Sequence, residues 1–320
     1  MAYAFDPELA TWIPMIPTFE YTDIAQLRNA DEAMLEHLPV YDSPIPLTIR
    51  DVVVPGEPDV PVRVYAPEGR EGPLPGMLYI HGGGFVLGNV SMFDGDAKRI
   101  AAEVGAVVVS VEYRLAPENP FPAGLDDCYA ALVWTAESAA ELGIDPARLA
   151  VGGDSAGGGL AAATALLARD RGGPALCFQY LGIPELDDRL DTPSMQAYVD
   201  TPLWHRPAAE FSWDSYLGGP GVRGTDGVSP YAAPARMADL SGLPPAFVNV
   251  CQFDPLRDEG IAYAQRLAQA NVPTELVLYP GTFHGSGMIA AAAITKRIIA
   301  DEIAALRRAL HAPVPQPTTA

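Results

Sequence analysis

The chain has 320 residues, of which 49% are hydrophobic, so it can fill the core of one large α/β domain or two smaller ones. Its formal net charge of −20 repels phosphate backbones and anionic lipid headgroups, so we expect no nucleic-acid partner and no membrane partner. The three cysteines, Cys128, Cys177 and Cys251, are widely separated and predict buried free thiols. With no signal-peptide or transmembrane pattern in the sequence, we expect a cytoplasmic location.

The first half of the chain alternates strand patterns with helical patterns, which is typical of α/β folds. Residues 7–40 predict short helices separated by prolines. Two strand patterns then flank a Pro-Gly-Glu-Pro turn, which indicates a hairpin. The predicted elements, in chain order, are strands at 47–54, 60–65 and 77–80, a helix at 94–104, a strand at 106–111, a helix at 124–142 and a strand at 149–151.

The second half continues this alternation, apart from one long insertion. Residues 183–233 are rich in Pro, Trp and Tyr and irregular, as expected of a segment over a site rather than a crossover between strands. A Pro/Thr-rich tail at 312–320 predicts a flexible end. The other elements are a helix from 156, strands at 175–181, 246–250 and 274–279, and helices at 258–270 and 288–310. We predict a mainly parallel sheet covered by helices on both faces.

The segment Gly153-Asp154-Ser155-Ala156-Gly157 fits G-x-S-x-G, the nucleophile elbow between a buried strand and a helix. A serine on such a sharp turn has strained backbone angles, so its neighbours two residues away must be nearly without side chains. The following helix directs its free N–H groups at negative charge near the serine. The pattern alone also fits an ordinary strand-to-helix turn.

Serine needs a base within hydrogen-bond reach, and the base needs a carboxylate to orient it. Of the five histidines, His284 follows a predicted strand and is the predicted base. Asp254 also follows a strand and is preferred as the acid over Asp258, which looks like a helix N-terminal residue. The order Ser, Asp, His is that of an α/β-hydrolase. The other histidines have other predicted places: His37 and His311 in solvent, His205 in the insertion, and His81 at the start of a glycine loop.

A tetrahedral oxyanion requires N–H donors that are already aimed at it. Consecutive glycines after a strand suit Gly82 and Gly83 to this role, and Ala156 follows the nucleophile as a third donor. A dinucleotide loop is rejected at the two glycine-rich loops beside the predicted site. From Gly82 the last position of G-x-G-x-x-G is Leu87, and the G-x-G-x-x-A spacing at 157–162 lies inside the predicted elbow helix. No H-E-x-x-H motif or Cys/His cluster is present, so we expect no metal and no cofactor.

Five motifs together resemble the bacterial hormone-sensitive-lipase-like carboxylesterases of the α/β-hydrolase fold. They are HGGGF at 81–85, YRLAPE at 113–118, GDSAGG at 153–158, DPLRDEG at 254–260 and FHG at 283–285. The stretches at 185–190 and 200–207 are similar to an actinobacterial branch that includes a heroin esterase. The resemblance implies Ser155 as nucleophile, His284 as base, Asp254 as orienter, and the same three oxyanion donors.

The resemblance also implies a helical cap, formed by residues 1–45 and the insertion at 183–233. The catalytic domain is then 46–182 with 234–311. Relatives of this kind are commonly dimers, so we expect a homodimer. Aromatic residues of the insertion, Tyr198, Phe211, Trp204 and Trp213, together with His205 and with Phe85 beside the glycine loop, are expected to close the site. The sequence therefore predicts a serine carboxylesterase for small, short-acyl, water-soluble esters. The alternatives are an amidase or peptidase of the same fold and a non-catalytic ligand receptor.

Overall fold

An eight-stranded sheet forms the centre of the chain in a computed structural model, which describes residues 3–35 and 40–312. The order of the strands is β1-β2-β4-β3-β5-β6-β7-β8. Strand β2 is antiparallel to both neighbours, and the pairs from β4 to β8 are parallel, as predicted for a mainly parallel sheet. The strands are β1 (Leu47–Val54), β2 (Val60–Pro67), β3 (Leu74–Ile80), β4 (Val107–Val111), β5 (Ile144–Asp154), β6 (Phe178–Gly182), β7 (Ala246–Phe253) and β8 (Thr274–Phe283).

Helices cover both faces of this sheet. The α-helices are α1 (Pro7–Ala10), α2 (Ile24–Leu35), α3 (Asp94–Arg99), α4 (Ala123–Glu137), α5 (Ala139–Leu142), α6 (Ala156–Asp170), α7 (Pro193–Ala197), α8 (Arg206–Tyr216), α9 (Arg257–Gln269) and α10 (Ala293–Leu310). Helices α4, α6 and α9 pack on one face, and α3 and α10 on the other. Within the described ranges, no helix is both long and apolar enough to cross a membrane.

Alternating side chains of the central strands supply the two cores. In β3, Leu78 and Ile80 belong to the core beneath α4 and α6, whereas Met77 and Tyr79 belong to the core beneath α10. All four side chains are fully buried. Such continuous burial is what the near-continuous apolar strand patterns predict for a parallel sheet between two helical layers.

Several predicted boundaries differ from the structure. The single helix expected at 124–142 is divided at Ser138, whose ψ of 9° is not helical. The helix expected at 94–104 changes from Ile100 to a wider π-helical turn. The last helix begins at Ala293 rather than 288, because Ala292 is extended and a 3-10 turn occupies Ser286–Met288. His37 and residues 313–320 lie outside the described residues.

The N-terminal segment and the residues between β6 and β7 approach each other near the ends of the strands. Leu9 is buried in a small cluster with Phe283 at the end of β8. The Tyr21 hydroxyl donates to the Leu203 carbonyl at 2.9 Å, which joins the N-terminal segment to the insertion. These contacts bring both segments to the side of the sheet where the glycine loop and the elbow lie.

Candidate active site

The elbow places Ser155 directly after β5, with φ 59° and ψ −121°. Its N–H donates to the Gly182 carbonyl at 2.8 Å, and its carbonyl accepts from the Gly159 N–H at 3.0 Å. A Cβ on Gly153 or Gly157 would lie 2.2 or 2.1 Å from the Ile80 carbonyl oxygen. The G-x-S-x-G spacing is therefore a steric requirement, because β3 passes too close to the turn for any side chain.

The structure brings Ser155, His284 and Asp254 together. Ser155 Oγ lies 2.9 Å from His284 Nε2, and His284 Nδ1 lies 2.8 Å from Asp254 Oδ2. The second carboxylate oxygen of Asp254 accepts from the Leu256 N–H at 2.8 Å. The Asp254 side chain is buried and acceptor-only, so it fixes the imidazole proton on Nδ1 and leaves Nε2 as an acceptor for the serine hydroxyl.

The competing assignments have other structural partners. Asp258 lies in the first turn of α9, where it accepts from the Ser194 N–H at 2.7 Å and pairs with Arg257. His205 caps α8 by accepting from the Ala208 N–H at 3.3 Å. His311 is exposed as expected, yet its Nε2 also lies 2.7 Å from the Val104 carbonyl oxygen.

His81 anchors the glycine loop that follows β3. Its ring stacks on Tyr113 with centroids 4.2 Å apart, and Nδ1 lies 2.8 Å from the Gly82 carbonyl oxygen. Burial lowers the pKa of His81 to about 4, so the ring is neutral and Nδ1–H donates to that carbonyl. A Cβ on Gly82 would lie 3.4 Å from Ser155 Cβ, which places the loop backbone against the elbow.

The three expected oxyanion donors lie in segments that adjoin Ser155. Within residues 3–35 and 40–312, the N–H groups of Gly82 and Gly83 donate to no protein acceptor. Ala156 is the first residue of α6, where N–H groups have no partner inside the helix. Gly83 has φ +120°, and a Cβ there would lie 2.1 Å from the Leu87 carbonyl oxygen, so only glycine fits. The loop thus offers N–H groups with no side chain in the way.

Two of the aromatic residues expected in the pocket lie at the loop or the triad. The Trp204 ring is 5.8 Å from the His284 ring and contacts Gly84, where a Cβ would lie 2.5 Å from its Cη2. Phe85 is buried and stacks on Tyr216 of α8 with centroids 4.0 Å apart. Trp204 is therefore the bulky side chain beside the reacting groups, and Phe85 fixes the loop against α8.

The other expected pocket residues lie farther from the triad. Tyr21 packs against Trp204 at 5.7 Å, and His205 and Phe211 pack against Tyr21 at 5.6 and 6.3 Å. Trp213 is fully buried in the core, and Tyr198 packs near Phe253. The aromatic side chains thus form layers behind Trp204 instead of one shared wall.

Two carboxyl groups near the elbow had no predicted role. Asp154 accepts from the hydroxyls of Tyr79 and Tyr180, each at 2.8 Å, and burial raises the pKa of this carboxyl. Glu185 is fully buried, and its N–H donates to the Ser155 carbonyl at 3.0 Å. The sequence singles out Asp154 because it lies inside the elbow motif. It does not single out Glu185, because two further acidic residues follow at 187 and 188.

A serine, a histidine and an aspartate linked in this order, at the carboxyl ends of a mostly parallel sheet, define a serine hydrolase of the α/β-hydrolase class. Comparison with known proteins agrees with this class. A family model described as the alpha/beta hydrolase fold matches residues 77–288.

Similar proteins narrow the class. Carboxylesterase NlhH of Mycobacterium tuberculosis is 42% identical over 313 residues, covering 96% of this chain and 97% of that protein. An ethyl acetate hydrolase of Pseudomonas putida is 38% identical over 228 residues, 70% of each chain. A bacterial heroin esterase structure superposes with a TM-score of 0.92 at 49% identity, covering 96% and 98%. The chain belongs to the hormone-sensitive-lipase-like carboxylesterase family, and it is a carboxylesterase.

Proposed function

We propose that this carboxylesterase hydrolyses small, water-soluble esters with short acyl groups, through an acyl-enzyme on Ser155. The observation that carries the proposal is the unbroken chain of hydrogen bonds from Ser155 Oγ to Asp254, at 2.9 and 2.8 Å. The similarity to an ethyl acetate hydrolase supports the short acyl group.

The proposed reaction has two halves. Ser155 Oγ attacks the ester carbonyl carbon while His284 Nε2 takes its proton, and the imidazolium then gives that proton to the leaving alcohol as the C–O bond breaks. Water repeats the attack on the acyl-enzyme, with His284 as base, and releases the acid. The N–H groups of Gly82, Gly83 and Ala156 are the proposed donors to the oxyanion in both halves.

The proposed limit on acyl length rests on Trp204. Its ring lies against both Gly84 and the His284 ring, and Tyr21 packs behind it. Each methylene of an acyl chain gains about 0.8 kcal/mol when it is buried, until the chain reaches a side chain that must be displaced. We expect activity to be highest for acyl groups of roughly two to six carbons.

The cap is proposed to consist of residues 1–45 and 183–233, over a catalytic domain of 46–182 and 234–311. Three contacts support this division. Tyr21 binds the Leu203 carbonyl, Leu203 lies at Gly285 beside the base, and the Arg28 guanidinium donates to the Val86 carbonyl at 3.1 Å. Both cap segments therefore reach the loops that carry the proposed catalytic groups.

The nucleophile is tested with a fluorophosphonate probe and peptide mapping. We expect the adduct on Ser155, and Ser155→Ala should lose both labelling and turnover. An adduct on another serine, or an active Ser155→Ala protein, would refute the proposed mechanism. A receptor without catalysis would take up no probe.

The substrate class is tested with p-nitrophenyl esters of increasing acyl length, a matched p-nitroanilide series and an emulsified long-chain triglyceride. We expect a maximum at short esters. Faster cleavage of the anilides would instead indicate an amidase or peptidase. A rate increase when the triglyceride forms an emulsion would indicate a lipase.

Two further proposals concern the protein as a whole. Cys128, Cys177 and Cys251 are all free, which supports work in a reducing compartment such as the cytoplasm. A homodimer stays a prediction. It is supported by β8, an outer strand of the sheet on which Leu276 and Leu278 are 40% and 46% exposed. Sedimentation equilibrium checks it, and Leu278→Lys should weaken such a dimer.

A further inference from the structure

Ser212 links the insertion to the glycine loop and to a buried carboxyl group. Its hydroxyl lies 2.8 Å from the Gly84 carbonyl oxygen and 3.1 Å from Glu185 Oε1. Ser212 and Glu185 are fully buried, and Ser212 belongs to α8 in the insertion. The same Glu185 binds the Ser155 carbonyl through its backbone N–H at 3.0 Å. Glu185 thus contacts both Ser155 in the elbow and Ser212, the residue that binds the glycine loop.

The single hydrogen of the Ser212 hydroxyl decides the protonation state of the Glu185 carboxyl group. A serine hydroxyl has one hydrogen, so it donates to one of its two oxygen neighbours and not to both. The Gly84 carbonyl can only accept, and it is the closer neighbour. The bond between Ser212 and Glu185 therefore requires a hydrogen on the Glu185 carboxyl, which then donates to the Ser212 hydroxyl.

The surroundings of Glu185 favour the same neutral form. Its Oε2 has no hydrogen-bond partner among the described residues, and an ionised carboxylate in this position would be desolvated. The titratable groups that face it from the neighbouring elements are Asp254 (paired with His284), Glu259, Tyr21, Tyr113 and Tyr216. Each of these is neutral or negative. Burial, with a smaller contribution from Asp254, raises the pKa of Glu185 to about 8.

We propose that Glu185 is a positioning residue that works as a neutral acid: it donates to Ser212, Ser212 donates to the Gly84 carbonyl, and the glycine loop is held in its catalytic conformation. The inference rests on the proposed function, because the loop matters to the reaction only if Gly82 and Gly83 bind the oxyanion. Glu185 touches no reacting atom and acts through this chain of hydrogen bonds.

Loss of the Glu185 proton reverses the direction of the chain. The carboxylate then attracts the Ser212 hydrogen, because a bond to a charged acceptor is stronger than one to a carbonyl. The Gly84 carbonyl loses its donor, and the loop loses its link to α8. Stabilisation of the oxyanion is a property of the transition state, so kcat should fall while KM changes little.

The experiment compares kcat and KM from pH 6 to 10 for the wild type, Glu185→Gln, Glu185→Ala and Ser212→Ala. The wild type should lose about tenfold in kcat above a midpoint near 8, the cost expected for one buried hydrogen bond. Glu185→Ala and Ser212→Ala should lose about ten- to hundredfold at neutral pH. Glu185→Gln should restore most of the loss seen in Glu185→Ala, because its amide donates to Ser212 at every pH, and it should lack the alkaline fall.

Glu302→Gln is the matched control. Glu302 also has its pKa raised by burial, and it binds Asn249 on β7 without contacting the loop. It should keep the alkaline fall. Infrared difference spectra add a readout independent of turnover. Glu302 contributes its own protonated-acid carbonyl band, so the band lost between pH 7 and 10 should be smaller in Glu185→Gln than in the wild type, by the share of one carboxyl group.

The outcomes separate the two proposals. An alkaline fall that persists in Glu185→Gln, or disappears in Glu302→Gln, would overturn the role of Glu185 while Ser155 labelling stands. A Ser155→Ala protein that keeps its activity would instead overturn the proposed mechanism. Circular dichroism and thermal melts identify a variant that fails to fold, and the infrared test on Glu185→Gln then decides the protonation state.

Discussion

Replacing Asp254 by asparagine tests the electrostatic logic of the triad with almost no change of shape. Asp254 accepts two hydrogen bonds at 2.8 Å, from His284 Nδ1–H and from the Leu256 N–H. An asparagine has one oxygen and one NH2 group. If its oxygen stays on the Leu256 N–H, the NH2 group faces His284 Nδ1, and the imidazole must move its proton to Nε2. Nε2 then faces Ser155 as a donor and cannot accept the serine proton.

The expected size of the effect follows from this tautomer. A base in the wrong tautomer reduces kcat by about 10⁴, as for the same replacement in other serine hydrolases, which corresponds to about 5.5 kcal/mol. In the opposite orientation, the amide NH2 group faces the Leu256 N–H. Two donors then face each other where the side chain is 1% exposed, so this orientation is also unfavourable. KM should change little, because the lost step is proton transfer.

The assay is kcat and KM for p-nitrophenyl acetate with Asp254→Asn and Asp258→Asn side by side. Asp258 lies in the first turn of α9, where it binds Arg257 and the Ser194 N–H. The kcat of Asp258→Asn should therefore stay within a few-fold of the wild-type value. A loss below tenfold in Asp254→Asn, or a larger loss in Asp258→Asn, would refute the assignment of the orienting acid.

Three other predictions concern the glycine loop, the pocket wall and Glu185. Gly83→Ala should lower kcat by about a hundredfold or more and lower the melting temperature, because its Cβ would lie 2.1 Å from the Leu87 carbonyl oxygen; wild-type kinetics would contradict this. Trp204→Ala should move the preferred acyl length to longer esters, and an unchanged optimum would remove Trp204 as the wall. Glu185 is neutral in the folded chain up to a pKa of about 8 but ionises near 4.5 when unfolded, so it destabilises the fold as pH rises through this window. Glu185 alone contributes a slope approaching 1.4 kcal/mol per pH unit, so denaturant unfolding should show a smaller fall with pH in Glu185→Gln than in the wild type, and equal slopes would contradict its neutral state.

The alternation of patterns predicted the layers of the fold but not the order of its strands. A mainly parallel sheet with helices on both faces follows from local periodicity, which the structure confirms. Strand β4 pairs antiparallel with β2 and parallel with β3. The positions of β2 and β4 in the sheet therefore depend on contacts between distant segments. Local sequence contains no information on such pairing.

The triad could be predicted because each member follows a strand. Parallel strands end at one edge of the sheet, so Ser155, Asp254 and His284 meet although 129 residues separate the first from the last. Trp213 was expected to close the site and lies instead in the core, although the spacing of its helix contains a signal for this place. Ala209, Trp213 and Tyr216 recur at helical spacing in α8, and all three are buried, so this face belongs to the core.

Glu185 and Ser212 had no such signal, because their roles depend on a single hydrogen shared across two loops and a helix. Neither residue type is distinctive in its sequence context, and the neutral state of Glu185 follows only from its burial and from its neighbours. A carboxyl group keeps its proton, and can donate a hydrogen bond, when burial removes it from water. Such burial depends on the whole fold and not on a local pattern of residues.

Under the proposed function, the contacts at Gly84 give the insertion two roles, as a support of the oxyanion loop and as the wall that limits the substrate. Trp204 packs on Gly84, and the Ser212 hydroxyl lies within hydrogen-bond distance of the Gly84 carbonyl oxygen. Trp204 and Ser212 both belong to the segment between β6 and β7. A change that widens the pocket by moving this segment therefore also shifts the loop that carries Gly82 and Gly83. Variants selected for larger esters should lose kcat on small ones when they displace α8. They should keep it when they shorten Trp204 and leave the bond from Ser212 to Gly84 intact.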